Sequence, residues 1–214
     1  MRKYLAFYIP FLLFVVVMLV VLNSYSKSEL HLMLTSVHTP FLDVFFKYYT
    51  EVGGSVPYIV AAGLLFYKYR MTLFILSTQL VTAVFSFVAK NYWQRPRPLL
   101  YFSQHFPSFK LHQVEGVELF MHNSLPSGHT ITAFSFFLAL TYFTKNKYLH
   151  FLYFVLAVLV AYSRVYLSQH FALDVLIGAL IGFFVTFFGR MYVDYRPIAW
   201  GEGSLRDVFF RKKI

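Results

Sequence analysis

Residues 173–192 read LDVLIGALIGFFVTFFGRMY, an almost uninterrupted apolar run with one acid near its start and one arginine near its end. A helix needs about 20 predominantly apolar residues to cross the hydrocarbon core of a bilayer. This run therefore predicts a membrane-spanning helix. Gly178 and Gly182 form a GxxxG pattern within it, which is typical of close packing between helices.

The composition extends this prediction to the whole chain. Of the 214 residues, 58% are apolar and 13% are charged, about half of the roughly 25% that is usual in soluble domains. So few charges cannot cover the surface of a soluble protein of this size, which indicates a membrane protein. The chain has no cysteine, which excludes thiol chemistry and leaves the redox compartment open.

Five more apolar segments bring the predicted spans to six, and we expect an all-α integral membrane protein with a single domain over residues 1–214. The spans are about 5–22, 53–67, 71–89, 130–144, 148–163 and 173–192. The first follows two basic residues, as a signal peptide does. Its apolar stretch is longer than a signal core, and residues 22–24 offer no small-x-small cleavage site, so we interpret it as an uncleaved anchor.

The basic residues between the spans predict the orientation of the chain. With six spans, one group falls on a single side: Arg2, Lys3, Lys68, Arg70, Lys145, Lys147, Arg190, Arg196, Arg206, Arg211, Lys212 and Lys213. The positive-inside rule makes that side cytoplasmic, with both termini inside. A second group falls on the other side: Lys90, Arg95, Arg97, Lys110 and Arg164. Basic residues on the outer side run against the positive-inside rule, and a bound phosphate would explain why they are there.

Residues 29–48 form a different kind of segment. Apolar residues recur at three- and four-residue steps, as on one face of a helix: Leu30, Met33, Leu34, Val37, Phe41, Val44, Phe45 and Tyr48. Pro40 predicts a bend in this helix. The segment is too polar to span, so we expect either an interfacial helix on the outer leaflet or a helix packed on the bundle.

Three short motifs at span ends on the outer side carry groups suited to phosphate. Lys90, Arg97 and Arg164 are cations that only folding can bring together, and the arginine fork matches the oxygens of a phosphoryl group. Ser127 and Gly128 open a helix, so we expect their backbone N–H groups to be free to bind an anion. The alternative is that the three cations are ordinary interfacial anchors.

Two histidines accompany these cations. His170 and Asp174 are four residues apart and share a helix face, so the carboxylate can hold one imidazole nitrogen and leave the other as a nucleophile. His129, at a helix start, is the candidate general acid. We expect no metal at this pair, because the surrounding cations would oppose a divalent ion. The histidines interpreted as structural are His31, His38 and His150.

These residues resemble the signature of the type 2 phosphatidic acid phosphatase superfamily, which is K-x6-R-P, P-S-G-H and S-R-x5-H-x3-D. The first part is matched by Lys90, Arg97 and Pro98, the second by Pro126, Ser127, Gly128 and His129, and the third by Ser163, Arg164, His170 and Asp174. All signature positions are present in order and spacing.

The resemblance implies an enzyme without metal or other cofactor. It implies that His170 attacks phosphorus to form a phosphohistidine, that Asp174 orients it, and that His129 protonates the leaving group. It also implies a set of residues that hold the phosphoryl oxygens: Lys90, Arg97, Ser127, Gly128 and Arg164. Arg95 is either a further phosphate contact or a flanking charge.

The partners that the resemblance implies are the bilayer and a phosphorylated membrane lipid; we expect no nucleic acid, and the oligomeric state is left open.

The bacterial members act on undecaprenyl diphosphate, lipid A phosphates, phosphatidylglycerophosphate or phosphatidic acid, and we favour an envelope lipid, either the polyprenyl diphosphate or lipid A. The loop 99–125 either shapes headgroup choice, with Arg95, Lys110 and His122 as candidate substrate contacts, or is an ordinary surface loop. We expect a multi-pass protein of the bacterial cytoplasmic membrane with an extracytoplasmic active site.

Other functional classes stay open at this point. A lipid phosphotransferase would use the same residues with an acceptor other than water. A non-catalytic lipid-binding protein should lack a signature histidine or arginine, and here all are present. Haloperoxidases share the phosphate pocket, but those resemblances are to larger soluble proteins. A transporter would carry its charges near the bilayer midplane, whereas these charges lie at span ends.

Overall fold

The computed structural model describes residues 2–195 and 203–210, and all regular structure within these ranges is helical. The helices are α1 (Leu5–Ser24), α2 (Lys27–Leu34), α3 (Pro40–Tyr49), α4 (Val56–Leu64), α5 (Tyr69–Trp93), α6 (Pro98–His105), α7 (Gly128–Phe143), α8 (Lys147–Tyr166), α9 (Ala172–Tyr195) and α10 (Leu205–Phe210). This confirms the all-α class for the described part of the chain. Some of the predicted cytoplasmic basic residues lie outside the described residues: Arg196, Arg211, Lys212 and Lys213.

Four helical stretches in the described ranges are long and apolar enough to cross a membrane. They are Arg2–Ser24, Tyr69–His105, Lys147–Tyr166 and Ala172–Asp194. The helices α4 and α7, with 9 and 16 residues, are shorter than the about 17 residues that a span requires. The six-span layout therefore stays a prediction.

The short helix α7 lies at the centre of the bundle, in contact with α5, α8 and α9. Most of its side chains are buried, including Phe134 and Leu138. The close approach of α9 depends on the two glycines of the GxxxG pattern. A Cβ atom on Gly178 would lie 2.8 Å from the Ser127 carbonyl oxygen, and one on Gly182 would collide with the Ile131 carbonyl oxygen. These glycines let α9 fix the start of α7, where the second motif lies.

The outer helices turn large apolar side chains away from the bundle. Leu12 on α1 is 63% exposed and Phe87 on α5 is 70% exposed. Continuous exposed apolar surface of this kind is unfavourable in water and is expected where lipid tails form the solvent. The distribution supports a membrane protein.

The segment predicted as one bent helix over 29–48 consists of two helices, α2 and α3, separated by residues 35–39. The hydroxyl of Thr39 accepts a hydrogen bond from the Leu42 amide at 3.2 Å, and Pro40 occupies the first turn of α3. Pro40 therefore begins a helix instead of bending one, because a first-turn residue needs no amide hydrogen bond. Phe41, at 75% exposure, lies on the outward face of α3, while α3 also packs on α8, so the interfacial and the bundle-packed interpretations both stay open.

The predicted second span, 53–67, also begins later than expected. A 3-10 turn covers Thr50–Gly53 and α4 begins at Val56. This turn packs on α7 so closely that a Cβ atom on Gly53 would lie 2.5 Å from the His129 carbonyl oxygen. The glycine at position 53 is therefore needed for the turn to reach the start of α7.

Candidate active site

The three motifs meet at one end of the helical bundle. Lys90 lies in the last turn of α5, Arg97 is the residue before α6, and His129 is in the first turn of α7. Arg164 lies in the last turn of α8, and His170 lies in the loop that joins α8 to α9. His129 interacts electrostatically with each of the other four residues. Five residues that are far apart in sequence thus form one cluster.

His170 and Asp174 form the pair that the spacing predicts. Nδ1 of His170 lies 3.6 Å from Oδ2 of Asp174, and both side chains are buried. This separation is longer than a hydrogen bond, and catalytic contacts often tighten only when substrate binds. With Nδ1 directed at the carboxylate, the other ring nitrogen, Nε2, is the one left for chemistry.

The Asp174 carboxylate is held by two further donors. Oδ2 of Asp174 accepts a hydrogen bond from the Ser124 hydroxyl and one from the Phe171 amide, the latter at 2.9 Å. Because the same oxygen faces His170, these donors fix the carboxylate in place and favour its charged form. Ser124 was not predicted from the sequence, since a lone serine before a P-S-G-H motif has no pattern of its own.

Arg97 is oriented by a residue next to the candidate nucleophile. Its terminal nitrogen donates to Oε1 of Gln169 at 2.9 Å, and its Nε donates to the His122 carbonyl at 2.9 Å. The Gln169 amide nitrogen in turn donates to the Glu118 carbonyl at 2.6 Å. Gln169 thus ties the guanidinium, the loop and the His170 segment together. Its position beside His170 is the only sequence signal that marks Gln169, and this signal did not predict its role.

Arg164 is the most buried cation of the cluster, at 7% exposure. One terminal nitrogen donates to the Thr50 hydroxyl at 2.7 Å, whereas its Nε is buried and has no hydrogen-bond partner among the described residues. Glu51 is the acidic residue that attracts it, while Arg97 repels it. A buried guanidinium with a free N–H and a cationic neighbour is suited to an anionic ligand.

Lys90 and Gly128 lie together at the mouth of the cluster. A Cβ atom on Gly128 would lie 3.6 Å from Nζ of Lys90, and the Lys90 ammonium is repelled by Arg97 and Arg164. Both residues, with His129, line a cavity of about 420 Å³ between α4, α5 and α7. The lining does not include Arg97, Arg164 or His170, so this cavity borders the cluster only on the side of Lys90 and His129.

One predicted donor is not available. The Ser127 amide donates to the Asp174 carbonyl at 3.0 Å, so the expectation of a free Ser127 N–H was wrong. The bond arises because α9 packs against the start of α7. The Ser127 hydroxyl, which accepts from Thr130 at 2.9 Å, keeps its own proton for an anion, and the Gly128 amide belongs to the first helical turn, where amides lack helical partners.

Only part of the candidate substrate loop contacts the cluster. The side chains of Arg95, Lys110 and His122 are all exposed. Backbone atoms of two of them brace the site, because the Arg95 carbonyl accepts from the Ser124 amide at 3.0 Å and the His122 carbonyl accepts from Arg97. Lys110 has no comparable contact that links it to the cluster within residues 2–195 and 203–210, and its role stays a prediction.

The protonation state of His170 fits a nucleophile. Burial lowers the pKa of its imidazole to about 4, against the opposing effect of Asp174, and the cations Arg97 and Arg164 add to the lowering. At neutral pH the ring is therefore uncharged and one nitrogen keeps a lone pair. A neutral imidazole that faces a carboxylate and lies near Arg97 and Arg164 can attack a phosphorus atom.

The fold and this cluster define a class of protein. The chain belongs to the PAP2 superfamily, whose family model matches residues 70–198. The match contains all three motifs and the helices that carry them, which confirms the family resemblance.

The chain is also similar to individual proteins and to a solved structure. A dihydrosphingosine 1-phosphate phosphatase of Schizosaccharomyces pombe is 28% identical over 178 residues, or 77% of this chain and 41% of the relative. An undecaprenyl-diphosphatase of Sulfolobus acidocaldarius is 36% identical over 83 residues, or 39% of this chain and 40% of the relative. The chain thus spans about two-fifths of the length of these curated relatives. The crystal structure of LpxE from Aquifex aeolicus superposes with a TM-score of 0.66 at 26% identity, covering 80% of this chain and 99% of that one.

Proposed function

We propose that this protein is a lipid phosphate phosphatase that hydrolyses a phosphomonoester or diphosphate of a membrane lipid through a phosphohistidine on His170, with no metal in the chemical step. The observation that carries the proposal is the convergence of Lys90, Arg97 and Arg164 around the His129–His170 pair. These three cations repel one another, and a bound anion would stabilise them beyond what the nearby carboxylates Asp174 and Glu51 provide. The lipid phosphatases among the relatives support the choice of a phosphorylated lipid.

The substrate phosphate would bind among the three cations. Arg97 and Arg164 each offer a fork of N–H donors, and Lys90 adds a compact charge at the mouth of the cavity. The Ser127 hydroxyl and the Gly128 amide complete the set of donors at the start of α7. Because phosphoryl transfer spreads charge over the non-bridging oxygens, these donors would stabilise the transition state more than the ground state.

The reaction would then take two steps. Nε2 of His170 attacks phosphorus and forms a P–N bond while the bond from phosphorus to the lipid oxygen breaks. Burial and the nearby cations lower the pKa of His129 to about 3 in the free site; the bound phosphate anion would raise this pKa, so that a protonated His129 gives its proton to the leaving oxygen. In the second step water attacks phosphorus, His129 takes a proton from it, and the P–N bond breaks to release inorganic phosphate. Asp174 would stabilise the positive charge on the His170 ring in both steps.

The site is also suited to a lipid by its place in the bundle. It lies at helix ends, and its cavity opens between α4 and α5 on a side whose outer surface is apolar. A substrate could keep its tail in the bilayer while its phosphate enters at headgroup level. We propose the six-span layout with an extracytoplasmic site in a bacterial cytoplasmic membrane. We also favour an envelope lipid as substrate, the choice that the similarity to an undecaprenyl-diphosphatase supports.

A phosphate-release panel tests the activity. Purified wild-type protein would be given undecaprenyl diphosphate, lipid A, phosphatidylglycerophosphate and phosphatidic acid in mixed micelles, with and without EDTA. We expect release from at least one lipid, no loss with EDTA, and none from His170→Ala. The matched control is His105→Ala, an exposed histidine. Equal activity of wild type and His170→Ala would contradict the mechanism, and release of a phosphorylated acceptor instead of phosphate would indicate a phosphotransferase.

The orientation can be tested because the chain has no cysteine. Single cysteines placed at exposed Ser36, before α3, and at exposed Lys145, between α7 and α8, should lie on opposite sides of the membrane. An impermeant maleimide added to intact spheroplasts should label Ser36→Cys and not Lys145→Cys. The reverse labelling would contradict the proposed extracytoplasmic site.

A further inference from the structure

A second polar cluster lies outside the candidate active site, where α3 meets the loop between α6 and α7. Its members are His38, Asp43 and His112, and one ligand atom of each lies within 4.8 Å of the others. Nε2 of His112 is 2.9 Å from Oδ2 of Asp43, and Nδ1 of His38 is 3.5 Å from Oδ1 of Asp43. The two imidazole rings have centroids 3.9 Å apart. The catalytic mechanism proposed above uses none of these residues.

We propose that His38, Asp43 and His112 bind a zinc ion, or another first-row divalent cation, that clamps the loop over the candidate active site. Two imidazoles and one carboxylate are a donor set that zinc accepts, with water as a fourth ligand. Ligand atoms about 2.0–2.1 Å from a tetrahedral zinc lie roughly 3.3 Å from one another. Nε2 of His112 and Oδ2 of Asp43, 2.9 Å apart, lie near that separation, and all three ligand atoms lie within 4.8 Å of one another. Magnesium and calcium prefer oxygen donors, so they fit this site poorly.

The surroundings of the cluster favour a metal ligand at His38. Its Nδ1 is buried and faces the cluster, and the nearest carboxylate oxygen, Oδ1 of Asp43, lies 3.5 Å away, which makes at most a weak contact. A buried polar nitrogen with only a weak contact is incompletely satisfied, and coordination to an ion would satisfy it better. His38, which was predicted to be structural, therefore supports an ion here together with the geometry of the three ligand atoms.

The carboxylate has the outer support that metal sites usually show. The hydroxyl of Tyr166 donates to Oδ1 of Asp43, and the Tyr166 ring is buried and lies 4.6 Å from the His38 ring, centroid to centroid. A hydrogen bond of this kind fixes the orientation of a ligating carboxylate and leaves Oδ2 for the ion. Tyr166 ends α8, two residues after Arg164, so the cluster is joined to the segment that carries the candidate active site.

A bound ion would fasten the loop between α6 and α7 to α3. His112 is the member contributed by the loop, and its side chain is 41% exposed. A second contact lies close by, where Nζ of Lys47 donates to the Glu115 carbonyl at 2.8 Å. An ion shared by His112 and Asp43 would hold the loop against α3 far more firmly than this exposed hydrogen bond. The ion would act on the loop and not on the phosphorus chemistry.

Direct binding tests the site independently of activity. Untagged wild-type protein, stripped with chelator, would be titrated with zinc chloride against a chromophoric chelator. We expect one equivalent bound, no competition from magnesium, and an affinity lowered by more than about 100-fold in His112→Ala. His105→Ala, with an exposed histidine at the end of α6, should bind like wild type. If His112→Ala binds zinc as tightly as wild type, the cluster is a hydrogen-bonded contact only and the proposal is overturned.

Proteolysis tests the clamp itself. Between residues 94 and 127, trypsin can cleave the chain at one bond, the bond after Lys110, because Arg95 and Arg97 each precede proline. Zinc should slow cleavage after the exposed Lys110 in wild type and His105→Ala, and leave it unchanged in His112→Ala. Phosphate release by His112→Ala would verify that this variant is folded. If zinc protects wild type and His112→Ala equally, it does not act through this cluster.

Discussion

The substitution Asp174→Asn tests how much the negative charge of the Asp174 carboxylate contributes to the rate of the proposed reaction. One oxygen of Asp174 faces the Ser124 hydroxyl, the Phe171 amide and Nδ1 of His170. An asparagine whose oxygen takes this place keeps all three donors and the ring orientation, and loses only the negative charge. A full positive charge on the ring at 3.6 Å would interact with the carboxylate by about 5 kcal/mol at an effective dielectric constant of about 20.

If roughly half of that charge has developed in the transition state, the loss is about 2–3 kcal/mol, or roughly a 30- to 150-fold fall in kcat. The assay is phosphate release from the best lipid of the panel, with thermal unfolding as a check on the fold. Asp194→Asn is the matched control, because Asp194 also lies on α9 and pairs with a basic residue four positions away, Arg190, at 2.7 Å. It should keep wild-type turnover. Asp174→Asn activity within threefold of wild type, or as low as that of His170→Ala, would refute the charge argument.

Three more predictions follow from the same contacts. Gly182→Ala should lower the free energy of unfolding by about 1–3 kcal/mol or more, because its Cβ atom meets the Ile131 carbonyl oxygen; an unchanged thermal midpoint would contradict the packing of α9 on α7. Gln169→Leu should raise KM more than it lowers kcat, since Arg97 loses its side-chain acceptor; unaltered KM would show that Gln169 does not position Arg97. Burial lowers the pKa of the His170 ring to about 4, so the ring should remain neutral at pH 5, where an ordinary histidine is mostly protonated. The measurement is the pH dependence of the nitrogen-15 chemical shifts of the ring, with the His170 signals assigned by their loss in His170→Gln. A titration of these shifts near pH 6.5 would contradict the prediction.

The fold was predictable where apolar length alone decides it. The long helices α1, α5, α8 and α9 coincide with predicted spans because their residues face lipid or the bundle for about 20 positions. Prediction was weaker for short helices, whose bounds depend on contacts between distant residues. The late start of α4 follows from the packing of Gly53 on α7, and the break before Pro40 follows from the Thr39 cap.

The candidate site was predictable where spacing carries the chemistry. His170 and Asp174 do pair, but the predicted shared helix face was wrong, because His170 lies in the loop before α9 and only Asp174 is in the helix. Residues that act through a single loop contact, such as Ser124 and Gln169, leave no periodic signal and emerge only from the folded chain. The Ser127 amide was misjudged for the same reason, since its acceptor is the Asp174 carbonyl on another helix.

The most direct test of the central claim is to identify the residue that carries the phosphoryl group. Wild-type protein would be mixed rapidly with a phosphorus-32-labelled lipid, quenched in alkali, which preserves phosphohistidine, and digested with trypsin. Cleavage after Arg164 and Arg190 gives peptide 165–190, whose single histidine is His170. We predict alkali-stable label on this peptide in wild type and none in His170→Ala. Label on the peptide that contains His129, or turnover without any labelled histidine, would contradict the account.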